Sequence, residues 1–226
     1  MRIGAWYHAF TVNRWEQIVT EHLDALVTSG LADEIEVLHL GMVGHEIQRR
    51  QCLALCQARL PVEVVGEADE GWEQPTLESL RRRASDFDVV AYHHTKGVTY
   101  DVGEMPYGGY VSQEAFNHAW RESMTRATVY NWRRCIQLLG EFQLVGCHWI
   151  IHPEQCTGSA GETVEANIHF MGGNYWWARA ATIARFDAPL MRNRYDAEMW
   201  LGKNGLKDEN VFDLTPGWPA LETFNG

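Results

Sequence analysis

His93-His94-Thr95-Lys96-Gly97 sets two imidazoles, a hydroxyl and an ammonium beside a residue without a side chain. Lys96 supplies a compact positive charge and Gly97 an accessible backbone amide, a pair suited to phosphate oxygens. Neighbouring residues on an extended chain point to opposite sides. His93 and His94 therefore do not share one metal ion, and at most one of them faces a ligand. A second stretch, His169 to Ala178 (HFMGGNYWWA), sets Gly172 and Gly173 among Phe170, Tyr175, Trp176 and Trp177, with His169 and Asn174 as hydrogen-bonding groups. Glycine lets a backbone approach a ligand closely. Flat amphipathic rings stack on sugars or bases, and Asn and His add direction. The third candidate is Glu198, whose aromatic neighbours Tyr195 and Trp200 would desolvate it and make it a better base. Asp196, two residues earlier, falls on another helical face. Each has a plainer account: a packed strand-end histidine with a surface lysine, a buried aromatic bulge, a helix-surface glutamate.

Other chemistries find little support. Asp86-Phe87-Asp88 has the D-x-D form that holds a divalent cation with a nucleoside diphosphate, but it precedes an apolar run, at the wrong end of the strand, and reads as a solvated loop. Gly158-Ser159-Ala160-Gly161 lacks the nucleophile-elbow form. There is no Walker A sequence, no G-x-G-x-x-G and no H-E-x-x-H.

The elements that must position these groups alternate. Arg2–Tyr7, Glu34–Leu40, Val62–Gly66 and Phe87–His93 read as strands. Between them lie a helix capped by Thr11 or Asn13 and closed at Ser29-Gly30, a helix over His45–Arg59, and a short helix from Pro75. Such alternation implies a parallel sheet with right-handed crossovers, whose ligands gather beyond the carboxyl ends of the strands. Tyr7, His8 and Phe10 would then share an edge with His94, Thr95 and Lys96. A glycine- and tyrosine-rich loop spans Thr99–Tyr110. Ser112 caps a long helix to about Leu139, Phe142–Ile151 is a strand and Pro153–Glu165 a loop. The aromatic stretch leads into a helix from Ala178, a short helix covers Arg192–Leu201, and the tail after Gly205 is irregular.

The 226 residues suit one domain, and 46% apolar with 22% charged residues fits a folded globular chain. Ten tryptophans exceed what such a core needs, which points to rings exposed in a groove. A net charge of -11 argues against a general nucleic-acid binder. The clusters Arg49-Arg50, Arg81-Arg82-Arg83 and Arg133-Arg134 read as solvated helix faces. The five cysteines, without zinc-ribbon spacing, read as reduced core residues. No apolar run reaches membrane-spanning length. The expectation is a soluble, cytoplasmic protein, in host cytoplasm if viral.

Four blocks in order, Tyr92 to Val98, Trp120-Arg121 with Asn131-Trp132, His169 to Ala178, and Glu198-Met199-Trp200, resemble small bacterial and viral glycosyltransferase-like proteins with the pattern YHxKG, WR, HFxGNFWWA and AExW. Gly173 and Tyr175 are mild departures. The resemblance implies a GT-A-like α/β fold with a mostly parallel Rossmann-like sheet flanked by helices: a nucleotide-binding half over 1–98 and a sugar/acceptor half over 99–226. It implies that Tyr7 and His8 contact the donor base and that His94, Thr95, Lys96 and Gly97 contact the diphosphate. His169, Asn174, Trp176 and Trp177 would contact the sugars, with Gly172 and Gly173 in the same turn. Glu198 would be the catalytic base or orient the donor sugar.

No D-x-D lies at the cleft edge. The leaving diphosphate's charge must still be offset, here by Lys96 with an imidazole and Arg121, so no metal is obligatory, although manganese remains compatible. The activity implied is transfer of a sugar from a nucleotide-sugar donor to a hydroxyl of a glycan, protein or small molecule, rather than nucleic acid, with an inverting displacement by a carboxylate base as the first reading and a retaining course as the other. The alternative is a non-catalytic carbohydrate-binding protein using the same aromatic groove.

Overall fold

Four apolar runs become the parallel strands β1 (Ile3–Phe10), β2 (Ile35–Val43), β3 (Val62–Ala68) and β4 (Val89–His94), side by side in the order β3-β2-β1-β4. The computed structural model describes residues 1–98, 112–157, 163–193 and 195–215, with backbone alone over 152–157 and 163–168. The glycine- and tyrosine-rich segment Thr99–Tyr110 lies outside the described residues, as does the end of the tail.

β1 and β4 are buried along nearly their whole length, as strands covered by helices on both faces must be. Their period-two alternation divides the core. Tyr7, Ala5 and Ala91 join Ile18, Val19, Leu23 and Leu26 of α1 (Trp15–Thr28) on one face. Trp6, Val90 and Tyr92 meet Leu77 and Leu80 of α3 (Gln74–Arg83) on the other. Helix α2 (Glu46–Gln57) buries Cys52 and Cys56 against the first face.

The sheet continues through the second half of the chain. β8 (Trp176–Arg179) runs antiparallel to β4, β5 (Leu144–Gly146) antiparallel to β8, and β9 (Val211–Asp213) parallel to β5. The result is one seven-stranded, mostly parallel sheet with β3 and β9 outermost, flanked by helices. That is the α/β class expected. β6 (Trp149–Thr157) and β7 (Thr163–Met171) form a separate antiparallel pair, so most of the segment expected as loop over 153–165 is strand.

Other differences have local causes. Neither Thr11 nor Asn13 caps α1; Asn13 instead takes a positive φ and donates to Val98 O. Ser112 does cap α4 (Gln113–Thr125), accepting from Ala115 N at 3.1 Å. The single helix expected to Leu139 is broken by a π-helical segment, Arg126–Tyr130, before α5 (Trp132–Leu138). The wider turn presents Thr128 O to the Trp177 indole at 3.0 Å. The strand expected over 142–151 splits at His148, whose φ is 60° and whose N–H is taken by the Asp213 carboxylate at 2.9 Å. The helix expected from Ala178 starts at α6 (Ala180–Ile183), and that expected from Arg192 at α7 (Asp196–Lys203). Among the described residues no helix is long and apolar enough to cross a membrane.

Candidate functional site

At the carboxyl end of β4 the chain leaves the sheet at His94 and turns through Lys96. The Lys96 ammonium lies 3.0 Å from Glu198 Oε1 and 4.2 Å above the Trp120 ring. The same carboxylate oxygen accepts the Gly173 N–H at 3.3 Å. Gly173 O in turn faces His94 Nε2 at 2.8 Å. A carbonyl only accepts, so Nε2 is the donor. Residues 102 apart in sequence thus close a ring of contacts: β4, its following turn, the 172–173 turn and α7.

Two glycines make that ring possible. Gly173 has φ 90°, and a Cβ there would meet Met124 Sδ at 2.6 Å. Gly202, one turn beyond Glu198 on α7, lies so close to β7 that a Cβ would fall on His169 O. This approach fixes the helix face that presents Glu198. Gly202→Ala is expected to lower stability by about 2 kcal/mol in urea denaturation, since extra atoms in a packed contact force backbone shifts; an unchanged midpoint would mean that α7 moves freely.

Behind this ring lies a residue that sequence reasoning missed. Glu73, at the N-terminus of α3, is 5% exposed. Its Oε2 accepts from Tyr92 Oη at 2.5 Å and from Asn174 Nδ2 at 2.9 Å, and its Oε1 is 3.3 Å from His94 Nδ1. Burial acts to raise the Glu73 pKa, but the charge and hydrogen bond of His94, with His8 and Tyr92, outweigh it and bring the carboxyl down to about 2. The carboxylate is therefore ionised. Both His94 nitrogens face acceptors, Glu73 Oε1 and Gly173 O. A buried carboxylate requires donors around it, and Tyr92, Asn174 and His94 surround Glu73. Nothing local marks Glu73; ahead of Pro75 it looks like an ordinary helix-start acid.

Several expected ligand contacts are instead core residues. Trp176 and Trp177 are each 0% exposed because β8 lies between β4 and β5, so one ring enters each face of the core. Asn174 is equally buried, tied to Glu73 and, at 2.7 Å, to the Trp176 indole. Tyr7 and His8 sit mid-sheet under α1 and α3: Tyr7 stacks on His22 at 4.3 Å, and His8 Nδ1 meets Thr76 Oγ1 at 2.6 Å. Neither reaches solvent. Thr95 Oγ1 accepts from Phe10 N at 2.9 Å, joining the ends of β1 and β4.

Arg121 donates to Lys96 O at 3.2 Å and to Glu21 Oε2 at 3.0 Å. Gly97 packs on Asn117, and Gly172 N–H bonds to His148 O at 2.8 Å. His169 lies beside Trp149, with Nδ1 3.2 Å from Asp208. The structure thus gathers Lys96, His94, Gly173 and Glu198, and leaves Tyr7, His8, Asn174, Trp176 and Trp177 as support. The wider expectation of exposed tryptophans also fails: among described side chains Trp72 is exposed and Trp149 partly so, the rest buried.

Asp196 takes Lys203 at 2.6 Å and the Arg192 N–H at 2.6 Å, so it shapes α7 rather than joining Glu198. Asp88 binds the Arg2 N–H at the opposite edge of the sheet. Among the described residues no group of three or more His, Cys, Asp or Glu side chains is placed to hold a metal ion.

Fold and site together define an α/β protein with a mostly parallel, Rossmann-like sheet and a lysine–carboxylate pair at its carboxyl edge. The chain belongs to the family described as "Domain of unknown function (DUF8361)", which it matches over residues 7–214. No curated protein matches the sequence. Among solved structures it is similar to a 4-diphosphocytidyl-2C-methyl-D-erythritol synthase from Anaerococcus prevotii, at 10% identity and TM-score 0.45 over 95% of this chain and 86% of that one. It is also similar to S. aureus TarS residues 1–349, at 11% identity and TM-score 0.43 over 90% and 56%. A third is HddC from Yersinia pseudotuberculosis, at 7% identity and TM-score 0.42 over 87% and 84%. At these scores the likenesses say nothing of residues or reaction.

Proposed function

We propose that this chain transfers a sugar from a nucleotide-sugar donor to an acceptor hydroxyl. The observation that supports this is the Lys96–Glu198 pair, 3.0 Å apart at the carboxyl edge with side chains 13% and 16% exposed. Ligands of parallel α/β sheets gather at that edge. Displacement at an anomeric carbon needs both charges. The C–O bond to the diphosphate breaks with its electron pair on the leaving oxygen, which an ammonium stabilises. The acceptor oxygen forms the new C–O bond from the opposite face, and its proton passes to the carboxylate.

In the free protein each charge compensates the other. A diphosphate that takes the Lys96 ammonium leaves Glu198 free to accept a proton. The Trp120 face holds the ammonium through its ring quadrupole without neutralising it. The carbohydrate-binding alternative is weakened because Trp176 and Trp177, the rings it relied on, are sealed in the core.

The test is release of nucleoside diphosphate from a panel of nucleotide sugars, with water or added saccharides as acceptors, with and without manganese. Turnover is expected without metal. Lys96→Ala and Glu198→Gln should each lower it by about 100-fold or more. Glu198→Gln should retain nucleoside diphosphate binding while Lys96→Ala weakens it. Release of pyrophosphate from nucleoside triphosphates instead would make the chain a nucleotidyltransferase. Saccharide binding with no turnover of any donor would favour the binding-protein alternative.

A further inference from the structure

Lysine is scarce in this chain, three against sixteen arginines. It carries a compact charge on a flexible stem, so aiming the ammonium requires that both ends of the side chain be held. Trp120 and Glu198 hold the tip of Lys96. When a diphosphate takes the place of Glu198, the tip keeps only the Trp120 face. The aim of the charge then depends on the backbone from which the stem rises.

That backbone is a tight turn tied to β1 and packed on α4. Thr95 N–H bonds to His8 O at 3.0 Å, and Asn13 Nδ2 donates to Val98 O at 2.9 Å. Gly97, with φ 80°, lies so close to α4 that a Cβ would sit 2.9 Å from Asn117 Cβ. The carbonyl of Lys96 itself accepts from Arg121 Nη1 at 3.2 Å.

Arg121 is 9% exposed, and its Nε and Nη2 donate to Glu21 Oε2 at 3.3 and 3.0 Å. Glu21 is fixed in turn by Gln17 Nε2, 2.8 Å from its Oε1, on a helix that buries Ile18, Val19 and Leu23 in the core. The guanidinium is a rigid planar fork, so two bonds to Glu21 set the direction of the third. A peptide unit is planar and trans, so holding Lys96 O also fixes Gly97 N–H, which points the opposite way. Among the described residues no acceptor meets that N–H. Consecutive residues of α4 thus serve the two ends of one side chain, Trp120 its tip and Arg121 its backbone.

We propose that Arg121 is a positioning residue: through Lys96 O it aims the Lys96 ammonium and orients the Gly97 N–H for the diphosphate of a nucleotide ligand. This rests on the reading that Lys96 takes the diphosphate. The test begins with NMR of the full chain labelled with [ε-13C]lysine, whose three lysines give three signals. That of Lys96, identified by its loss in Lys96→Ala, should be displaced upfield by the Trp120 ring, and in Arg121→Met it should move toward the other two. Calorimetry with uridine, thymidine, guanosine, cytidine and adenosine diphosphates supplies the second readout. For one that binds, Arg121→Met should weaken binding by about tenfold, the loss of one well-placed charged hydrogen bond. With Lys96→Ala already made, Arg121→Met should cost much less than it does alone, because both act through one ammonium. General support of the fold would instead give equal losses in both backgrounds. Equal losses, or a Lys96 signal unmoved in folded Arg121→Met, overturn the proposal while leaving the transfer reading intact. Glu21→Gln loosens Arg121 without removing it and should move the same signal and binding in the same direction; it decides if Arg121→Met does not fold. If the wild type binds none of these diphosphates, the transfer reading falls and the proposal with it.

Discussion

Glu73→Ala is expected to cost about 4 kcal/mol of stability, measured by urea denaturation near neutral pH, since leaving each buried polar group unsatisfied costs about 1–3 kcal/mol. The substitution strands three groups at once. His94 Nδ1 loses its partner, Tyr92 Oη loses its acceptor and Asn174 Nδ2 loses its partner. Each stranded donor is buried and no longer exchanges its lost bond for one to water. Glu73→Gln should cost less, because an amide oxygen still accepts from Tyr92 although the charge is gone. The loss should also reach the candidate site, since His94 holds Gly173 O and Gly173 N–H holds Glu198. A cost below about 1 kcal/mol for Glu73→Ala would mean that His94 does not depend on this carboxylate.

Acidification supplies the other large effect. Between about pH 7.5 and about pH 5 the chain should lose about 4 kcal/mol, the sum for two histidines that the fold keeps neutral. Burial chiefly lowers the His8 pKa to about 4, with Glu73 opposing and His94 adding to the shift; burial lowers that of His22 to about 3. In the unfolded chain both return to 6.5. The unfolded state therefore takes up protons first as pH falls through 6.5, and stability declines until the folded values are reached. His93, also pushed down chiefly by burial, deepens the decline. Glu73 acts lower in the range: its stabilisation is present above 4.5 and is lost as pH falls toward 2. Urea midpoints across this range check the slope. A flat profile from neutrality to about pH 5 would show that these rings take protons in the fold.

The sequence disclosed some parts of this architecture far better than others. β1 and β4 are legible because strands covered on both faces must be continuous apolar runs. β9, three residues long, is too short to show any period, and β5 was legible only as part of a longer strand over 142–151. β8 misleads for a chemical reason: Asn174, Trp176 and Trp177 beside two glycines have the composition of a sugar site, and only the neighbouring strands show that the rings face inward. Lys96 stood out beside Gly97 where an apolar strand empties into a loop, and Glu198 by its aromatic neighbours. Glu73 did not, because a carboxylate gains meaning only from partners such as His94 and Asn174, and the latter is 101 residues away.

The outer strands of the sheet bear on how copies of this chain meet in concentrated solution. A sheet border offers a row of unpaired amides and carbonyls to any passing backbone. On the β3 side Glu67 stands exposed along that border, while Glu63 pairs with Arg83, and the Glu67 charges of two molecules would have to be brought together there. On the β9 side the border is three residues long. Neither offers the long, flat, uncharged template on which intermolecular strand addition and fibre growth depend.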